Sequence, residues 1–142
     1  MMRILVDPNL VLDVLLDREP YAEAAAALWA AVETGEAEGL LPAHCVTTLH
    51  FLAARSRGRA FADACVAGVL GVFGVAPVDD AVLRRALAMG WPDFEDAVGA
   101  AAGEAAGCHA LATRDRDGFK RSPLPVMTAM EAVTALRSTM RS

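Results

Sequence analysis

Short, unbroken apolar runs recur along this chain, each stopped by a turn-forming residue and each followed by a stretch with helical spacing. The first is Ile4-Leu5-Val6, halted by Asp7-Pro8-Asn9. Consecutive apolar residues without polar alternation suit a strand covered on both faces. Leu40-Leu41 before Pro42, residues 72–76 before Pro77, residues 109–113, and Pro125-Val126-Met127 repeat the pattern. Between them the spacing predicts helices over residues 10–15, 21–33, 46–55, 60–70, 81–89, 94–106 and 129–136. Leu28, Trp29 and Val32 mark one inward face; Val46, Leu49, His50 and Ala53 mark another. Asp79, Asp93 and Thr128 stand where N-caps belong, and Glu131 completes a capping box with Thr128. Strands alternating with helices imply an α/β fold with right-handed crossovers. The expected architecture is a three-layer α/β/α sandwich around a central parallel sheet of four to five short strands. With no repeat, linker or low-complexity segment, residues 1–142 are expected to form a single domain.

In such sheets, function gathers outside the carboxyl ends of the strands. Asp7 and Asp115 fall at such ends, and Asp93, Asp96 and Asp117 lie close to them in sequence. Asp93 and Asp96, three apart at a helix start, can point to one side. Each acid has a structural role open to it: Asp7 an Asx-type cap, Asp93 a helix cap, Asp115 a turn. No lysine or arginine recurs at matching positions. Gathered together, the carboxylates would raise one another's pKa or demand a cation, and a hard divalent ion, Mg²⁺ or Mn²⁺, takes oxygen ligands.

A formal net charge of −5 argues against a protein that coats nucleic acid through a broad basic face. Positive charge is local, and of its three clusters Arg114-Asp115-Arg116 running on to Lys120-Arg121 lies beside the acids. Phosphate contact by Arg114, Arg116 or Lys120 is therefore open. Three cysteines, Cys45, Cys65 and Cys108, are odd in number and set among apolar residues, so they read as reduced, buried thiols of a cytoplasmic protein. No apolar stretch reaches the ~20 residues of a membrane span, and the N-terminal residues lack a signal-peptide pattern.

Three segments carry a family resemblance: Ile4-Leu5-Val6-Asp7-Pro8-Asn9 with Leu12-Asp13, Asp93-Phe94-Glu95-Asp96-Ala97, and Thr113-Arg114-Asp115-Arg116-Asp117-Gly118-Phe119. In order and approximate spacing the chain resembles the PIN domain family, more narrowly its VapC-like toxins. The resemblance implies a Mg²⁺- or Mn²⁺-dependent endoribonuclease held inactive by a cognate antitoxin protein. It matches Asp7, Asp96 and Asp115 to the first, third and fourth metal-binding acids, with Asp93 and Asp117 as accessory acids. Asn9 matches the asparagine that fixes the first loop, and Thr113 stands beside it as a supporting residue. Two positions depart from the pattern. Pro8 replaces a usual Thr or Ser, and Thr48 stands where the second acid, a glutamate, is expected. His50 is a poor substitute for it and reads as a core or interface residue.

Two principal readings follow. One is a metal-dependent ribonuclease of a toxin–antitoxin pair; the alternative is a degenerate PIN domain that binds RNA or a protein without cutting. A flavodoxin-like nucleotide binder shares the sheet logic, but no glycine-rich phosphate loop follows any strand. The alanine-rich helices over 21–33 and 60–70 offer faces to a second copy or an antitoxin, or serve as ordinary core.

Overall fold

The computed structural model describes residues 1–141, with side chains through residue 138. Its strands are β1 (Arg3–Val6), β2 (Glu38–Pro42), β3 (Gly74–Ala76), β4 (Ala110–Ala112) and β5 (Val126–Met127). They form one sheet in the order β3-β2-β1-β4-β5, every pairing parallel. The helices are α1 (Pro8–Leu15), α2 (Ala22–Glu33), α3 (Ala43–Arg57), α4 (Arg59–Leu70), α5 (Asp80–Met89), α6 (Phe94–Ala105) and α7 (Ala129–Arg141). The chain runs outward from β1 to β2 and β3, then returns to place β4 and β5 on the other side of β1. That reversal opens a crevice between the carboxyl ends of β1 and β4.

Alternation of side chains along the strands divides the core into two layers. Ile4, Val6, Leu41 and Ala112 point to one face, where α1, α2 and α7 cover them with Val11, Leu28, Val32 and Val133. Leu5, Leu40 and Leu111 point to the other, beneath α5 and α6. The fold is the expected α/β/α sandwich. Helix α6 can lie close because it is built from small residues: a Cβ on Gly103 would fall 2.7 Å from Leu5 Cδ2. Ala97, Val98 and residues 100–102 are buried beside it. A third, small cluster of Ala53, Ala62 and Cys65 joins α3 to α4.

The elements match the expectations with local differences. Helix α3 begins at Ala43, directly after the extended Pro42, rather than at Val46. Its buried stripe is Cys45, Leu49 and Ala53, while His50 turns outward to Asp63 at 2.7 Å. Strand β3 starts at Gly74 because Val72 and Phe73 are drawn into a turn, both amides donating to the Val69 carbonyl. Phe73 is instead a core anchor, edge-to-face with Trp29 at 5.2 Å. The alanines of α2 and α4 divide: Ala22, Ala25 and Ala31 on α2 and Ala62 on α4 are buried in the core, while Ala26, Ala30, Ala60, Ala64 and Ala67 are exposed. Among the described residues, no helix is long and apolar enough to cross a membrane.

Candidate active site

Parallel pairing places Val6 opposite Ala112, so the residues that follow, Asp7 and Thr113, emerge side by side. The ladder continues through them. The Asp7 amide donates to the Ala112 carbonyl and the Thr113 amide to the Met127 carbonyl, both at 2.9 Å. Asp7 caps α1, its Oδ1 accepting from the Asn9 amide at 3.0 Å, and Pro8 opens the helix where no intrahelical donor is needed. Asn9 thus fixes the first loop through its backbone.

Thr113 couples two of the acids. Its hydroxyl is fully buried, donates to Asp7 Oδ2 at 2.7 Å and accepts from the Asp115 amide at 3.0 Å. Asp115 Oδ1 in turn accepts from the Gly118 amide at 3.0 Å. A Cβ on Gly118 would fall 2.5 Å from Asp115 Oδ2, so only a glycine there leaves the Asp115 carboxylate in this position. On the facing element, Asp93 caps α6 by accepting from the Asp96 amide at 3.0 Å, and Asp96 projects from the first turn. The capping and turn roles open to these acids are therefore filled, and the same bonds aim the carboxylates into the crevice.

Two adjoining recesses divide the acids. A narrow pocket of about 50 Å³ is lined by Asp7, Pro8, Asn9, Pro42, Cys45, Glu95 and Asp96. A wider cleft of about 360 Å³ takes Trp91, Asp93, Asp96, Asp115, Asp117, Lys120 and Arg121. Asp96 belongs to both. Burial, then the charges of Asp93, Asp7, Asp115 and Glu95, push its carboxyl up to about 7. Asp7 is raised chiefly by burial, with the bonds from Thr113 and Asn9 and the charge of Arg114 pulling the other way. Among the described residues, no group of three His, Cys, Asp or Glu side chains is arranged so that it could hold a metal ion as it stands.

Several expected partners lie elsewhere. Arg114 turns away from the cleft and grips the fully buried Asp13, Nε to Oδ2 at 2.9 Å and Nη2 to Oδ1 at 3.2 Å. Its guanidinium also stacks 4.0 Å over the Tyr21 ring. Arg116 pairs with Glu131, the residue that completes the α7 capping box. Lys120 remains on the cleft, in a loose pair with Asp117 at 3.8 Å. Thr48 lies one turn beyond the pocket on α3; the side chain of that helix in the pocket wall is Cys45, whose thiol burial pushes up to about 12.

The sequence pointed to no role at the site for Asp13, His44, Cys45 or Trp91. Asp13 carried a signal, an acid inside the apolar run Val11-Leu12-Asp13-Val14. His44 carried none; its Nε2 meets the Glu95 carbonyl at 3.0 Å, joining the start of α3 to the turn that bears Asp96.

A family model described as PIN domain matches residues 3–117. Among curated proteins, none is significantly similar in sequence. Solved structures do share the fold. The chain is similar to the Mycobacterium tuberculosis VapC20, a sarcin–ricin loop cleaving toxin, with a TM-score of 0.68 at 20% identity over 83% of this chain and 94% of that one. It is also similar to VapBC2 from Rickettsia felis bound to a promoter DNA fragment, with a TM-score of 0.69 at 11% identity over 89% and 98% of the two chains. DNA-bound VapBC from Salmonella typhimurium gives a TM-score of 0.69 at 14% identity over 91% and 99%. With three acidic segments at the expected strand and helix ends and a family match over most of its length, the chain belongs to the PIN domain family.

Proposed function

We propose that this protein is a metal-dependent endoribonuclease, the toxin of a cytoplasmic toxin–antitoxin pair, with Asp7, Asp96 and Asp115 as its catalytic, metal-binding acids. The observation that carries the reading is Asp96. The charges that act most on its carboxyl are the carboxylates of Asp93, Asp7, Asp115 and Glu95, and together with burial they push it up to about 7. A site of uncompensated oxygen ligands favours a hard cation, and Mg²⁺ or Mn²⁺ needs few protein ligands because it keeps several waters. The donor set fits such an ion in chemistry, with the acids gathered around one crevice rather than closed into a cage. When bound, the cation would offset phosphate charge and make a water nucleophilic near neutral pH.

The remaining work falls to the chain. Thr113 holds Asp7 in orientation and ties it to the Asp115 backbone. Gly118 fixes the Asp115 turn, and Asp93 fixes the first turn of α6. Asp93 and Asp117 add negative charge at the rim. For the RNA backbone we assign Lys120 and its neighbour Arg121, which line the cleft. Arg114 and Arg116, engaged with Asp13 and Glu131, we assign to holding the scaffold. The VapBC complexes among the structurally similar proteins favour a cognate antitoxin as partner of this chain.

A second reading is favoured by α3. That helix contributes Cys45 to the pocket wall and no carboxylate, and no ready-made metal cage stands among the described residues. A module that binds RNA or protein without cleavage matches those features. The two separate in one assay. Purified protein with Mn²⁺ or Mg²⁺ is given structured RNA, beginning with a sarcin–ricin loop hairpin, beside Asp96→Asn. Metal-dependent cleavage lost in the variant supports the nuclease. Metal binding by calorimetry with no cleavage of any RNA establishes the non-cutting module.

A further inference from the structure

The wider cleft holds more than acids. Its volume of about 360 Å³ lies in the range of small-ligand sites. Trp91 and Pro92, from the turn between α5 and α6, line it together with Lys120 and Arg121, from the loop between β4 and β5. Gly90, at φ +67°, ends α5 in a left-handed residue and sends the chain into Trp91. The indole is held in place by Phe119, edge-to-face at 5.9 Å and 81°, and Phe119 is itself buried. The partly exposed indole thus shares the cleft with two cations. Lys120 is only loosely paired with the exposed Asp117, and Arg121 has no ion pair among the described residues.

We propose that this cleft binds one unpaired nucleotide of an RNA strand, its base stacked on Trp91 and its flanking phosphates on Lys120 and Arg121. The proposal rests on the reading of the protein as RNA-binding and names the form of RNA that it takes. Charge places the parts. Phosphates are drawn to Lys120 and Arg121 and, where no cation offsets the acids, repelled by Asp93, Asp96, Asp115 and Asp117. A base is neutral, presents a π-face to the indole, and carries N–H donors that carboxylates accept. Duplex RNA offers no free π-face, so the cleft selects a looped-out or single-stranded nucleotide.

The test is a fluorescence titration of the full chain carrying Trp29→Phe, which leaves Trp91 as its one tryptophan. Asp7→Asn is added to block cleavage, and Mg²⁺ is present throughout. The probes are a riboadenosine hexamer and a ribose-phosphate hexamer without bases. Trp91 emission should be quenched by the first alone; by anisotropy of the probes carrying a 5′ fluorescein, which also reads the tryptophan-free variant, the first should bind about 5- to 150-fold more tightly. Trp91→Leu keeps an apolar contact for Phe119 and should bring both probes to equal affinity, with the circular-dichroism melt confirming that it folds. Lys120→Gln and Arg121→Gln should each reduce the slope of log affinity against log salt by about 0.7. Equal binding of the two hexamers, or a folded Trp91→Leu that still prefers bases, overturns the proposal. Base-dependent binding without cleavage by the native chain would sink the nuclease reading and leave the cleft standing. Cleavage with KM unchanged by Trp91→Leu would do the reverse.

Discussion

Asp96→Asn should stabilise the metal-free protein at pH 8 and give no advantage at pH 4. The Asp96 carboxyl is raised from 3.8 to about 7. A raised acid carries a penalty for folding that is absent below the unfolded pKa, accumulates as pH rises from about 4 to 7, and is complete above it. That interval corresponds to about 4 kcal/mol at ~1.36 kcal/mol per pH unit. Asp96 is half-buried and opens on a wide cleft, so solvent screening reduces the figure to about 2 kcal/mol. Loss of a negative charge from the first turn of α6 subtracts about 0.5–1 kcal/mol more through the helix dipole. The net expectation is about 1 kcal/mol of stabilisation at pH 8, from urea denaturation in EDTA. Millimolar Mn²⁺ should then reverse the order, raising the Tm of the native chain and leaving the variant nearly unmoved. A variant less stable than the native chain at pH 8 in EDTA would refute the argument, because Asp96 would then have a structural donor. No Mn²⁺ effect on either protein would remove the metal site.

Thr113→Val keeps shape but strips Asp7 of a donor and the Asp115 amide of an acceptor; chemical denaturation should show a loss of about 1–3 kcal/mol. Arg114→Ala leaves Asp13 buried with only Arg18 nearby, at 3.7 Å, and should cost about 3 kcal/mol or more; Asp13→Leu with Arg114→Met should recover most of it. Gly118→Ala pushes a methyl onto the Asp115 carboxylate, so RNA cleavage should fall by about 10²-fold while the Tm in EDTA barely changes. Thr48→Glu extends a carboxylate from the turn of α3 beyond Cys45 and should raise Mn²⁺-dependent cleavage at least about tenfold; no change would place the missing acid elsewhere.

Much of this protein is written locally. Unbroken apolar runs specify the strands, of which β1 and β4 are buried on both faces while the edge strand β3 leaves Gly74 and Val75 exposed, and Asp79, Asp93 and Thr128 mark helix starts because an N-cap needs only a side-chain oxygen and the amide two or three residues on. The acids could be singled out for a related reason: strand ends and helix starts are local features, and a parallel sheet collects them at one edge. What local pattern leaves open is rotation and long-range pairing. The face that α3 turns to the crevice depends on how it packs against α1 and β2, and packing selected Cys45 and His44 where sequence pointed to Thr48. Arg114 looked like a phosphate ligand because it stands next to Asp115. Its partner, Asp13, is 101 residues away, and only burial of that carboxylate, which makes an unpaired charge too costly, drew the guanidinium to it. The sequence by itself determined the layers, the strands and the acids at their ends. Sheet order and core packing decided which side chains those acids meet, because neighbours across a crevice are set by the whole fold and not by spacing along the chain.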